Sequence, residues 1–125
     1  MRKQQQQATA HSESHLNAAR EYWWNEDYLA LLADRLDLLQ CETLADIGCG
    51  KGMMAFKFAP YLQPGAQVFG VDQEPKYIKA ADRAAKKQGA YSAIKYDFTV
   101  GSAYHLPFDN EQMDVTLCQT LLIHL

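Results

Sequence analysis

The sequence of 125 residues lacks any run of the roughly 18 apolar residues that a membrane-spanning helix needs, and its opening, MRKQQQQATAHSES, lacks the hydrophobic stretch of a secretory signal. A soluble, cytoplasmic protein is expected. Strong charge of either sign is also missing, since 12 Lys+Arg stand against 15 Asp+Glu for a net charge of -3. No overall field then draws the chain onto nucleic acid or anionic lipid, so neither partner is expected, although a local basic patch stays open. Cysteine is scarce: Cys41, Cys49 and Cys118 form no CxxC pair and leave one over, which argues against a disulfide framework or a thiolate zinc site. They read as reduced, mostly buried thiols. His11 and His15 stand four apart and could share a helix face, but no carboxylate or thiolate ligand set surrounds them, and no metal site is expected.

What is present divides into three parts. Residues 1–13 are rich in Gln, Ser, Thr and His without large apolar side chains to offset the entropy of ordering, and read as a disordered tail. Residues 14–40 read as a helical extension or lid. Leu16, Ala19 and Trp23 repeat at helical spacing, and after Asn25 so do Tyr28, Leu29, Leu32, Leu36 and Leu39. Asn25 is placed to cap the second helix, with Glu26 and Asp27 favouring its positive end. From residue 41 to 125 the chain alternates in type. A strand Thr43 to Ile47, a glycine loop, a helical segment Gly52 to Leu62, a Pro64-Gly65 turn and a strand Ala66 to Asp72 form a βαβ unit. Helix Pro75 to Gln88, strand Ile94 to Val100, a polar loop Gly101 to Asn110 and strand Met113 to Cys118 follow. Strands separated by helices predict an α/β fold with a parallel sheet. The apolar ending, Thr120 to Leu125, carries no stop signal, so the domain is expected to be truncated, with an exposed sheet edge that invites self-association and poor solubility.

The most informative stretch is Asp46-Ile-Gly48-Cys49-Gly50-Lys-Gly52-Met-Met, where a β-type run feeds an alternating-glycine loop and then a helix. Glycines can take unusual φ angles and let a ligand touch the backbone, while the helix start offers free amides. Asp72 closes the next strand, where a carboxylate can accept from both ribose hydroxyls. Together these features predict an adenosine-containing ligand. Two registers fit. Gly50-Lys-Gly52-Met-Met-Ala55 satisfies the GxGxxA dinucleotide fingerprint and would suit NAD, but it extends the strand from Asp46 to Cys49 and places a carboxylate and a glycine inside a central parallel strand. In the other, Asp46-Ile-Gly48-Cys-Gly50-Lys-Gly52, the strand ends at the carboxylate.

This second register resembles motif I of the class I S-adenosylmethionine-dependent methyltransferases. Val68-Phe-Gly-Val-Asp72-Gln-Glu-Pro75 is similar to that family's second strand, Gly101-Ser-Ala-Tyr-His-Leu-Pro107-Phe108 to its "GDA..LPF" segment beside the adenine, and Met113-Asp-Val-Thr-Leu-Cys-Gln119 to its "FDxV" strand. The resemblance covers about residues 44 to 125 and implies the first four strands of a Rossmann-like sheet in the order 3-2-1-4, without the family's C-terminal strands. It implies S-adenosylmethionine as cofactor and S-adenosylhomocysteine as product. By position, Gly48, Cys49, Gly50 and Gly52 would wrap the methionine part and Asp46 would orient its amino group. Asp72 would bind the ribose and Gln73 the adenine face or ribose rim. Ala103 would offer its amide to the adenine ring, and Gln119 would line the methionine pocket. Ser102 stands where the family usually has an acid, which weakens the acceptor for the adenine amino group.

Methyl transfer from a sulfonium is an in-line displacement, so a protein mainly has to align the nucleophile and exclude water. His124 is the side chain best placed by sequence to act as a base, with a helix-start or packing role as the plainer reading. Tyr22, Trp23, Trp24 and Tyr28 could form a lid over cofactor and substrate, or simply a core or docking surface. Lys76, Lys79, Arg83, Lys86 and Lys87 form a basic stripe that reads as a solvated helix face, with Asp82 four before Lys86, and less readily as an RNA contact. A methyltransferase acting on a small-molecule acceptor is the first expectation. An NAD-dependent oxidoreductase and a truncated, non-catalytic cofactor-binding module are the alternatives.

Overall fold

The computed structural model describes residues 24–88 and 93–119. The expected tail, the first helix of the extension, Tyr22, Trp23, His11, His15 and His124 lie outside the described residues. Two compact units divide the chain, residues 1–32 and 33–125.

Helix α1, Glu26–Arg35, starts as its residues dictate: the Asn25 side-chain oxygen accepts the Tyr28 amide at 3.0 Å and the Asn25 carbonyl accepts the Leu29 amide. The helix is shorter than the leucine spacing predicts. It stops at Arg35, Asp37 turns left-handed at φ 54°, and a 3-10 turn spans Leu38–Gln40. That break rotates the stripe, so Leu38 becomes fully buried while Leu36 and Leu39 face solvent.

Four parallel strands form one sheet in the order β3-β2-β1-β4: β1 Thr43–Ile47, β2 Gln67–Asp72, β3 Lys95–Val100 and β4 Val115–Leu117. Helix α2, Met53–Phe58, runs into a 3-10 turn Ala59–Tyr61 containing Pro60, and α3 spans Pro75–Gln88. The side chains alternate across the sheet. Leu44, Asp46, Val68, Gly70, Tyr96 and Phe98 share the face covered by the two helices, where Phe56 of α2 packs edge-on against Tyr96 and Gln88 of α3 accepts the Tyr96 hydroxyl at 3.0 Å. Ala45, Ile47 and Val71 on the other face carry Ala103, Phe108 and Met113. The stretch between β3 and β4 therefore crosses the sheet as an irregular cover held by apolar side chains, with Phe108 edge-on against Phe69. Farther out on this face Lys95, Asp97 and Thr99 are exposed, a polar surface that suits a sheet's outermost strand.

β4 is shorter than the expected Met113 to Cys118, because the residues before it make a clamp instead of a ladder. The Asp114 carboxylate accepts the amides of Glu42 (2.8 Å) and Thr43 (3.1 Å), and the Asp114 amide donates to the Thr43 hydroxyl oxygen at 3.0 Å. Met113 meanwhile turns into the apolar cluster. These amide contacts hold the Asp114 carboxyl below the ordinary carboxylate range.

Candidate cofactor site

Two successive crossovers place α2 and α3 on one face, and the next strand then returns to the far side of β1. The strand order thus reverses between β1 and β4, and in open α/β sheets ligands bind outside the carboxyl ends of the strands at such a switch point. The loop after β1 has an unusual backbone, and a buried carboxyl oxygen near the end of β1 lacks a partner among the described residues.

Gly48, Gly50 and Gly52 all have positive φ, at 74°, 55° and 89°. Left-handed backbone favours glycine, and alternating it lets the chain leave β1 and enter α2 within five residues. The loop is tied to β2, because the amides of Gly48 and Cys49 both donate to the Val71 carbonyl, at 2.7 and 3.0 Å. Asp72 fastens the next position, with one carboxylate oxygen accepting the Gly50 amide and the other the Glu74 amide, both at 2.9 Å. Each oxygen keeps a further lone pair that a ligand hydroxyl could use.

Asp46 lies inside β1 and is only 2% exposed. The strand continues one residue past it, so the carboxylate is not at the strand end as the second register predicts. One carboxylate oxygen accepts the Ala55 amide in the first turn of α2, whereas Oδ2 is buried with no hydrogen-bond partner among the described residues. Desolvation first, and the nearby Asp72 carboxylate second, push the Asp46 carboxyl up to about 7. A buried acceptor left without a donor is costly in a folded protein, and here it sits beside the glycine loop.

The strand end decides between the two glycine registers. β1 finishes at Ile47 and the backbone turns left-handed at Gly48, whereas the dinucleotide register needs strand through Cys49. Cys49 lies in the loop, buried, its thiol donating to the Gly50 carbonyl at 3.5 Å. Burial, reinforced by Asp46 and Asp72, pushes this thiol up to about 12, which makes it a packing group and a poor nucleophile.

The remaining expected site residues lie along the other strand ends. Gln73 is exposed directly after Asp72. Ser102 follows β3, where its hydroxyl oxygen accepts the Tyr104 amide at 3.1 Å and its backbone forms a bridge with His105. Ala103 packs on the Ala45, Ile47 and Val71 cluster, and Gln119 lies two residues beyond β4, half-buried. Trp24 and Tyr28 belong to the other compact unit, residues 1–32, where their rings meet at a tilt with 5.4 Å between ring centres.

Two contacts escaped the sequence reading. Lys51 of the loop and Lys76 of α3 both lie over the Tyr77 ring, at 5.9 and 5.4 Å. At Gly70 a side chain would collide with the Phe98 ring and approach the Cys49 sulfur to 3.0 Å, so this glycine lets β2 and the loop pack together. A glycine inside a strand was the available signal. A separate apolar cavity of about 550 Å³, lined by Phe56, Pro60, Leu62, Ile94 and Tyr96 among others, lies by the start of β3 and contains none of these groups. Among the described residues no group of three His, Cys, Asp or Glu could hold a metal.

Glycine loop, paired carboxylates and switch point together define a Rossmann-like cofactor-binding domain. The chain belongs to the methyltransferase domain family, the class I S-adenosylmethionine-dependent methyltransferases, whose family description matches residues 44–125. It is 30% identical over 87 residues to an uncharacterized methyltransferase of Schizosaccharomyces pombe, covering 67% of this chain and 31% of that protein. The crystal structure of YcgJ from Bacillus subtilis superposes with a TM-score of 0.60 at 27% identity, over 76% of this chain and 38% of that one. Magnesium protoporphyrin IX methyltransferase of Synechocystis, solved with bound S-adenosylhomocysteine, gives a TM-score of 0.59 at 27% identity, over 80% of this chain and 42% of that one. The chain spans about a third of the length of the curated relatives it matches.

Proposed function

We propose that this domain binds S-adenosylmethionine at the carboxyl end of β1 and β2 and serves methyl transfer to a small-molecule acceptor. The observation that carries the reading is Oδ2 of Asp46, a buried carboxyl oxygen that has no hydrogen-bond partner among the described residues and lies beside three left-handed glycines. An α-amino acid end would supply the donor that this oxygen lacks. Asp72, already aligned by two amides, accepts from the ribose with its remaining lone pairs. Gln73 borders the ribose and the adenine face, the Ala103 amide serves the adenine ring, and Gln119 closes the methionine side. Ser102 is a weaker acceptor than an acid, since its oxygen already takes the Tyr104 amide.

The bound cofactor would supply a methyl group on a positively charged sulfur, and the chain's part is to orient that group and keep water away. His124 as a base and the aromatic residues Tyr22, Trp23, Trp24 and Tyr28 as a lid belong to this proposal. So does pairing with a second copy through β4, which among the described residues pairs only with β1. The family match and the glycine geometry give no support to an NAD-dependent oxidoreductase. No helix among the described residues is long and apolar enough to cross a membrane.

Calorimetric titration with S-adenosylmethionine, S-adenosylhomocysteine and NAD, repeated on Asp72→Ala, tests the reading. Binding of the first two, lost in the variant, is expected. Preference for NAD would overturn it.

A further inference from the structure

We infer that cofactor uptake is coupled to proton release: the ligand's ammonium group takes the place of a proton on Asp46, so binding tightens as the pH rises toward neutrality. The inference rests on the S-adenosylmethionine reading above and concerns what that ligand must displace.

Among the described residues no cation acts on Asp46. The strand β2 contributes the Asp72 carboxylate, a like charge. The loop contributes the Cys49 thiol and the residue after β4 the Cys118 thiol, both influenced by Asp46 and both pushed up by burial. Helix α2 contributes the Ala55 amide. Lys51, the cation within the loop, is exposed and lies over Tyr77. A carboxyl that is 2% exposed, has one oxygen unpartnered and faces a second carboxylate is cheaper to keep neutral than charged. The shift of the Asp46 carboxyl to about 7 agrees with that placement.

An entering ammonium changes both terms at once. It donates an N–H to Oδ2 and its charge balances the carboxylate, so Asp46 ionises and its proton passes to solvent. No covalent bond to the ligand forms or breaks. A ligand with the same nucleoside but no amino acid end, such as 5′-methylthioadenosine, leaves Asp46 protonated.

The test is titration of the full chain with S-adenosylhomocysteine at pH 6 and pH 8, each in buffers of low and high ionisation enthalpy. Near one proton released at pH 6, very little at pH 8, and a Kd about tenfold weaker at pH 6 are expected from simple linkage. Asp46→Asn, checked for folding by circular dichroism, should bind with no proton release and no pH dependence. If that variant fails to fold, 5′-methylthioadenosine on the natural sequence gives the same comparison. Binding of S-adenosylhomocysteine without proton release at pH 6, or equal release with 5′-methylthioadenosine, would overturn the inference and leave the cofactor reading standing. No binding by folded protein at either pH would overturn both.

Discussion

At Asp46 the folded and unfolded chains hold their protons differently. The carboxyl ionises near its ordinary value of 3.8 when unfolded but near 7 in the fold, so between those values the folded state binds the extra proton. Stability of the ligand-free protein should fall as the pH rises from about 4 to about 7, and then level off. Asp46→Asn removes that slope while keeping an acceptor for the Ala55 amide. It is expected to stabilise the ligand-free protein at pH 8 by on the order of a few kcal/mol, and hardly at pH 4. Urea melts at the two pH values check this, and equal stability of variant and natural protein at pH 8 would refute it. Glycine positions separate in a similar way. Gly70→Ala places a methyl against the Phe98 ring and should cost roughly 1–3 kcal/mol through overpacking. Gly65→Ala, at φ 87° with open space around it, should cost only the left-handed strain of about 1–2 kcal/mol. Thermal melts of the pair would compare the two mechanisms.

For single elements the ends matter more than the middles. Asn25→Ala removes the acceptor for the Tyr28 amide and should destabilise α1 by about 1 kcal/mol, with helical signal lost near its start. The Asp114 clamp joins the beginnings of β1 and β4, far from the glycine loop. Its carboxyl is lowered in the fold, so its contribution is present above the ordinary carboxylate value and is lost as the pH falls through the lowered one. Asp114→Asn should therefore destabilise the protein at pH 7 and make little difference at strongly acidic pH, as acid and neutral melts would reveal. A variant equally destabilised at both would point to lost packing instead.

On the scale of the molecule, binding and assembly are linked to stability. S-adenosylhomocysteine at about 100 times its Kd should add roughly 2.7 kcal/mol to the unfolding free energy. Differential scanning calorimetry with and without ligand measures it, and Asp72→Ala should lose most of the gain. Among the described residues β4 pairs only with β1, and an unpaired strand edge is a template for another chain. Sedimentation velocity should detect association that grows with concentration and weakens when Thr116→Pro removes an amide from that edge. A sharp monomer at every concentration would exclude this pairing.

The sequence by itself determined the order and type of the elements. Period-2 and period-3.6 apolar patterns, Asn25 as a cap, Pro75 as a helix start and the alternating glycines are local signals, and β1 and α3 have the ends those signals predict. The order 3-2-1-4 came from the family resemblance and agrees with the observed sheet. What tertiary structure decided depends on partners distant in the chain. The break at Asp37 exchanges Leu39 for Leu38 as the buried leucine, because the packed position and not the periodic one wins. β4 begins late because Asp114 meets Glu42 and Thr43, some seventy residues away. The irregular cover over Ala45, Ile47 and Val71 follows from which apolar residues the crossover can deliver. Most of all, the sequence contains Asp46 and Asp72 but not their closeness, and only the register of β1 against β2 brings the half-buried Asp72 carboxylate near the buried Asp46, whose Oδ2 has no partner among the described residues.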